Sequence, residues 1–215
     1  LTALPLFVWM GEILFRTKLS ENLFKGLSPW LSKLPGGLIH VNVVGCGLFA
    51  AISGSSAATV ATVGKMSIPE LRKRKYPEKI LLGSLAGSGT LGLLIPPSII
   101  LIIYGVTIED SIAKLFMAGI FPGIMLAIIF MLYVVVWSII NKKQMPKISE
   151  EFSFIEKVKR SKQLLPVVLL ICSVIGSIYT GIATATEAAS LGVVGALILS
   201  LFQGTLNKDS FKLSL

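Results

Sequence analysis

Apolar positions along this chain fall into long runs separated by short polar stretches, and the runs have helical rather than strand length. They cover Leu1–Phe15, about Gly36–Gly64, Ile80–Tyr104, Leu115–Ile140, Leu164–Tyr179 and Ala188–Phe202. A lipid-spanning helix needs about 20 such residues. Two runs are interrupted at their middles, one by Ser53-Gly54-Ser55-Ser56 and one by the glycine-rich approach to Pro96-Pro97-Ser98. Lipid offers no hydrogen bonds to a bare backbone, so a break at membrane depth survives only where protein buries it or a cavity lies beside it.

Two polar stretches carry weaker periodicity. Leu19, Leu23, Phe24, Leu27, Leu31 and Leu34 recur at helical spacing beside Trp30, which predicts a helix on the membrane surface over Leu19–Leu34, kinked at Pro29. Glu150–Lys162 sets Phe152, Ile155 and Val158 against Lys157, Lys159 and Arg160, as an interfacial or a solvated helix would. Capping-box patterns at Ser67–Glu70, Thr107–Asp110, Ser153–Glu156 and Thr184–Glu187 predict helix starts.

Composition turns these runs into membrane segments. Of 215 residues 53% are hydrophobic and 14% charged, with a mean hydropathy of +0.82, well below the roughly 25% charge of soluble domains. The chain opens on Leu1 inside an apolar run, without the basic flank or cleavage site of a signal peptide, and it reads as a fragment of a longer protein. Cys46 and Cys172 lie far apart in apolar runs and are expected as free thiols.

The net charge of +9 would suit nucleic acid, but its distribution does not. All 20 Lys and Arg residues except Lys114 fall into four clusters, at 16–33, 65–79, 142–162 and 208–212. If all four are cytoplasmic, the positive-inside rule is obeyed almost completely, and no nucleic-acid partner is implied. The paired runs between clusters then go out and back, around Thr107-Ile108-Glu109-Asp110 and around Thr184-Ala185-Thr186-Glu187. Only one run, Gly36–Gly64, joins the first cluster to the second. A straight helix of that length would reach about 43 Å against a core of about 30 Å; folded in two, it becomes a re-entrant hairpin with Ser53–Ser56 at its tip. The competing reading is one long tilted helix with small residues at packing contacts.

Candidate chemistry follows from the two breaks. Pro96 and Pro97 have no N–H to give, which frees carbonyls among Gly92, Leu93, Leu94 and Ile95 as ligands for a small hard cation such as Na⁺. The tip offers the hydroxyls and carbonyls of Ser53, Ser55 and Ser56 beside a returning helix N-terminus, an end that attracts anions, so Gly54, Ser55 and Ser56 are candidate substrate contacts. Gly87-Ser88-Gly89-Thr90-Leu91-Gly92 matches a dinucleotide fingerprint, but no strand precedes it and no βαβ unit surrounds it. A serine hydrolase would need a base for Ser55 or Ser56. The single histidine, His40, is about four helical turns away and suits a polar interfacial role better. Glu12, an acid in an apolar run, has Arg16 at i+4 as an ion-pair partner.

The segments GLFAAISGSSAATVATVGKMSIPEL, GSLAGSGTLGLLIPPSIILIIYGV, LFMAGIFPGIML and GIATATEAASLGVV closely resemble the large membrane subunit of tripartite ATP-independent periplasmic (TRAP) transporters. The match runs in order over nearly the whole chain; one departure is Ala185, where the family often has proline. The resemblance implies an all-α membrane protein, half of an inverted-repeat elevator-type transporter, with about five transmembrane helices and one re-entrant helical hairpin. It implies a multi-pass protein of the bacterial inner membrane and import of an organic anion, a carboxylate such as a dicarboxylate or sialic acid, coupled to Na⁺. No enzymatic activity is implied. The implied partners, besides the lipid bilayer, are a small membrane subunit and a periplasmic substrate-binding protein; the alternative is a related divalent-anion/Na⁺ symporter that needs no binding protein.

Carried onto this chain, the family's Na⁺ site would use Ser53 and Ser56 at the tip with Gly92, Ile95 and Pro96 at the broken helix. The implied division is a scaffold helix end at 1–16, an arm at 17–35, the hairpin at 36–66 and a basic cytoplasmic loop at 67–79. Transport-domain helices at 80–140, a loop and second arm at 141–163, two scaffold helices at 164–204 and a cytoplasmic segment at 205–215 would follow.

Overall fold

The computed structural model describes residues 2–15, 17, 19–146 and 152–204, and every regular element among them is helical. The helices are α1 (Ala3–Phe15), α2 (Leu19–Leu31), α3 (Ile39–Ser53), α4 (Ser56–Lys73), α5 (Glu78–Gly89), α6 (Leu91–Leu94), α7 (Ile99–Thr107), α8 (Ile112–Ile140), α9 (Phe154–Ser161), α10 (Leu165–Tyr179) and α11 (Ala185–Phe202). Lys208, Lys212 and Arg16, with its expected pairing to Glu12, lie outside the described residues.

Among these residues three stretches are long and apolar enough to cross a membrane: Glu78–Thr107, Ile112–Ile140 and Ala185–Phe202. Phe154–Ser161 with Leu165–Tyr179 would make a fourth, but the two helices meet at 54°. α1 and α10, at 13 and 15 residues, are each shorter than the bilayer core at 1.5 Å per residue.

The chain reverses at Gly54, and α3 and α4 run back to back. The open end of this hairpin sits beside the start of α5, since the Leu38 amide donates to the Tyr76 hydroxyl at 3.1 Å. Its tip meets the middle of the 78–107 stretch. Small residues permit that packing: Gly45 of α3 faces Val63 of α4, and a Cβ on Gly89 of α5 would come within 2.0 Å of the Val60 side chain. Asn42 of α3 is fully buried and donates to the Leu81 carbonyl at 3.2 Å and to Ser84 Oγ at 3.0 Å, which ties hairpin to α5 with polar bonds.

α1, α10 and α11 form a second group. Met10 packs into Gly192, and Leu170 into Gly195. Phe7 meets Phe116 of α8 edge-on at 6.3 Å, joining the two groups. α8 turns most of its length outward: Phe121, Ile124, Ile128, Leu132 and Ile140 are all more than half exposed. So large an apolar surface is meant for lipid or for another protein segment.

Several local expectations are corrected. α4 continues through Ser67 to Lys73, so the pattern at Ser67–Glu70 starts nothing, and the stretch expected as loop from 67 is helical until Arg74. The turns from Ser56 onward are already wound, and extending a formed helix costs less than nucleating a new one. Thr107 ends α7, its hydroxyl donating back to the Ile103 carbonyl at 2.8 Å; the cap of α8 is Ser111, which accepts from the Lys114 amide. Ser153 precedes α9 without a side-chain cap bond. At Thr184 the full box forms: Thr184 Oγ1 accepts from the Glu187 amide, and Glu187 accepts from the Thr184 amide at 2.8 Å.

α2 stops at Leu31, before Pro35-Gly36-Gly37, and carries Pro29 in its last turn. Part of its apolar face is turned into the protein: Leu23, Phe24 and Leu27 are buried, and Leu23 and Phe24 meet the hairpin's Val41 and Val63 around a small gap. α9 leaves Phe154 and Ile155 more than two-thirds exposed.

Candidate functional site

The tip is built by one left-handed residue. Gly54 has φ 60°, and its amide donates to the Ala50 carbonyl at 3.0 Å, closing α3. Glycine adopts this conformation without the steric penalty of a Cβ. The next residue, Ser55, is extended and caps α4, accepting from the Ala58 amide at 3.4 Å. Two residues therefore turn one helix into the next.

The serine knot is held from within. Ser53 Oγ lies 3.0 Å from Thr59 Oγ1 and donates to the Ser55 carbonyl at 3.3 Å, while Thr59 Oγ1 donates to the same carbonyl at 2.7 Å. Ser53 and Thr59 are buried; Ser55 and Ser56 are half-buried. Thr59 was not among the residues singled out from sequence. The signal was its position four residues after the cap, where a hydroxyl can bond back to a carbonyl of the preceding turn.

The second break lies directly against this tip. α6 ends at Leu94, and Ile95 is extended, as the residue before a proline prefers to be. In a regular helix the Gly92 and Leu93 carbonyls would accept from residues 96 and 97, both prolines without N–H. Ser98 repairs one of these losses, since its hydroxyl donates to the Leu93 carbonyl at 2.7 Å and accepts from the Leu101 amide to cap α7. The Ile99 amide, which would serve the Ile95 carbonyl in a regular helix, donates instead to the Gly54 carbonyl at 3.1 Å. One backbone hydrogen bond thus joins the hairpin tip to the broken span.

Close packing completes the junction. A Cβ on Gly92 would sit 2.9 Å from the Ser55 carbonyl carbon and the Ser56 nitrogen, and one on Gly54 would sit 2.6 Å from the Pro97 carbonyl oxygen. Ile95 fills the space between Gly47 of α3 and Gly123 of α8, while Gly119 of α8 lies against the Leu94 carbonyl. From the other side α1 crosses the tip at Gly11, where a Cβ would be 3.0 Å from Ser53 Cα. All the residues proposed from sequence therefore gather in one place: Ser53, Gly54, Ser55 and Ser56 from the tip, Gly92, Ile95 and Pro96 from the break.

The donor set is one of neutral oxygens. Among the described residues no group of three or more His, Cys, Asp or Glu side chains could hold a metal ion; the junction itself offers carbonyls and hydroxyls. Such oxygens suit a hard monovalent cation. Of the freed carbonyls, Leu93 is spent on Ser98 and Leu94 is covered by α8; Gly92 and Ile95 remain as carbonyls deprived of the amides that a continuous helix would supply. His40 is not available to the serines. It is buried, its Nε2 lies 2.7 Å from the Pro35 carbonyl, and α3 separates it from the tip by about 20 Å.

The sequence that builds this junction has counterparts among known proteins. Residues 1–214 match the family model described as the tripartite ATP-independent periplasmic transporter, DctM component. The chain belongs to this family. Relatives of this DctM-family chain include the C4-dicarboxylate TRAP transporter large permease protein DctM of Pseudomonas aeruginosa, 36% identical over 94% of this chain and 47% of the relative. The ectoine/5-hydroxyectoine TRAP transporter large permease protein UehC of Ruegeria pomeroyi is 33% identical over 94% and 46%. The sialic acid TRAP transporter large permease protein SiaM of Vibrio cholerae is 34% identical over 98% and 49%. The chain spans about half the length of the relatives it matches.

Proposed function

We propose that this chain forms part of the large permease of a TRAP transporter, a Na⁺-coupled secondary transporter of the bacterial inner membrane that imports an organic anion. The observation that carries the proposal is the junction of tip and break, tied by the Ile99 amide and the Gly54 carbonyl at 3.1 Å. Two discontinuous elements meeting at mid-span are the arrangement in which membrane transporters hold substrate and coupling ion. The hairpin then enters the bilayer and turns back without crossing.

In this reading Ser53, Ser56, Gly92, Ile95 and Pro96 surround the Na⁺ position, with backbone carbonyls as the main ligands. Na⁺ supplies charge that compensates an anion; the chain supplies the oxygen cradle and the close packing that keeps lipid and water out. Gly54, Ser55 and Ser56 present the start of α4 to an anionic group, whose charge the helix dipole favours. α1, α10 and α11 serve as scaffold, and the hairpin with α5–α8 as the element that moves past it in elevator fashion.

The C4-dicarboxylate, ectoine and sialic acid relatives support a carboxylate, or a zwitterion that carries one, as the substrate; in this reading a periplasmic binding protein delivers it, and the large permease works together with a small membrane subunit. A binding-protein-independent symporter is disfavoured by the match of nearly the whole chain to a TRAP component. Uptake by the full-length subunit with its partners tests the proposal: a panel of organic acids is offered with Na⁺ or with choline in its place, and uptake that ignores the replacement would refute Na⁺ coupling. Pro96→Ala restores an amide to the break and is expected to abolish Na⁺-dependent uptake while leaving membrane insertion intact.

A further inference from the structure

A pocket far from the tip remains unused by the reading above. It lies at the open, basic end of the hairpin, where α2, the last turns of α4 and Arg160 of α9 converge with Phe152, and it encloses about 440 Å³. Four cations line it, Lys25, Lys65, Arg74 and Arg160, against two carboxylates, Glu21 and Glu70.

The carboxylates are already engaged. Lys25 pairs with Glu21 within α2, and Arg74 Nε lies 2.9 Å from Glu70. Lys65 and Arg160 have no carboxylate partner among the described residues. Each is instead held over an aromatic face, Lys65 5.7 Å from the Phe15 ring centre and Arg160 4.6 Å from that of Phe152. Stacking fixes a cation's position without neutralising it. Two positive charges on two separate elements, α4 and α9, thus stand around one cavity without a carboxylate partner among the described residues, an arrangement that suits an anion of about two negative charges or two single ones.

The remaining walls indicate what carries that charge. Phe24, Met66, Pro69 and Phe152 give the pocket an apolar side, and α9 beside it exposes Phe154 and Ile155, a surface suited to the headgroup boundary of a bilayer. Arginine and lysine with an adjoining apolar wall match a phosphate ester joined to acyl chains. We infer that this pocket binds the phosphate of an anionic phospholipid headgroup, which bridges the two arm helices to the returning arm of the hairpin.

The test uses the full-length protein, delipidated in a neutral detergent, titrated separately with short-chain phosphatidylglycerol, short-chain phosphatidylcholine and inorganic phosphate. Bound adducts are counted by native mass spectrometry. The wild type is expected to bind phosphatidylglycerol in preference to phosphatidylcholine, and inorganic phosphate only weakly. Lys65→Gln with Arg160→Gln is expected to weaken phosphatidylglycerol about 30-fold, on the scale of about 1 kcal/mol for each basic residue at a membrane surface, and to leave phosphatidylcholine unchanged. Equal phosphatidylglycerol affinity in variant and wild type would overturn the site. Inorganic phosphate binding as tightly as phosphatidylglycerol would overturn the lipid as its source. If the double variant fails to fold, Lys65→Gln alone, on an exposed side chain, is expected to show about a 5-fold loss.

Discussion

Gly92 and Ser98 show how single residues hold the broken span in place. Gly92 is where tip and break touch most closely, and any side chain there meets backbone rather than a yielding rotamer. Gly92→Val is therefore expected to cost about 1–3 kcal/mol through overpacking, visible as a lower unfolding midpoint in detergent, and to abolish Na⁺-dependent uptake. Ser98→Ala removes a donor to the Leu93 carbonyl and the cap of α7 together; a loss of about 1–2 kcal/mol is expected. Both breaks are legible in the sequence, since glycine and proline act on their own neighbours and need no knowledge of the fold. The hydroxyl pairings are another matter. Ser53 suggests an open ligand, whereas its Oγ is engaged by Thr59, and the burial of that pair depends on what packs over the tip.

At the scale of elements, four capping patterns of one type have different fates, and the difference is one of context. Thr184–Glu187 follows a true turn at Gly181, φ 72°, and both halves of its box form. Ser67–Glu70 lies within a helix already wound from Ser56. Between these, Thr107 is displaced by Ser111, because Glu109 takes a left-handed φ of 56° and the Asp110 carboxylate accepts from the Ser111 amide at 2.7 Å, which sets the start of α8 four residues later. Thr184→Ala should then lower stability by about 1 kcal/mol, and the same change at Thr107 by less, since the Thr107 hydroxyl is exposed and only bonds back within α7. Thermal unfolding of the two variants side by side measures this. The hairpin, by contrast, is legible from charge distribution, because an odd crossing between two basic clusters violates a rule with few exceptions. The inward packing of α2 is not legible in that way: the same apolar stripe serves lipid or protein, and only the presence of Val41 and Val63 opposite Leu23 and Phe24 decides.

At the scale of the whole molecule the decisive contact is the crossing of α1 over the hairpin tip. α1 belongs by packing to α11 through Met10 and Gly192, yet its Gly11 lies on Ser53. If the hairpin moves against α1 during transport, this glycine is the place where the two surfaces slide, and a large side chain would hold them apart. Gly11→Leu is expected to fold, as leucine favours a helix more than glycine by about 0.8 kcal/mol, and to reduce uptake by displacing the tip. Accessibility separates that outcome from a simple loss of protein. Ala57, exposed just beyond the tip, is replaced by cysteine in a background with the exposed Cys172 changed to serine; the buried Cys46 stays. A membrane-impermeant thiol reagent should then label Ala57→Cys at a different rate when Gly11→Leu is present, with Na⁺ altering the rate in the parent and much less in the variant. Equal rates with equal sodium dependence would mean that α1 does not constrain the tip, and the division of the helices into scaffold and moving element would have to be redrawn.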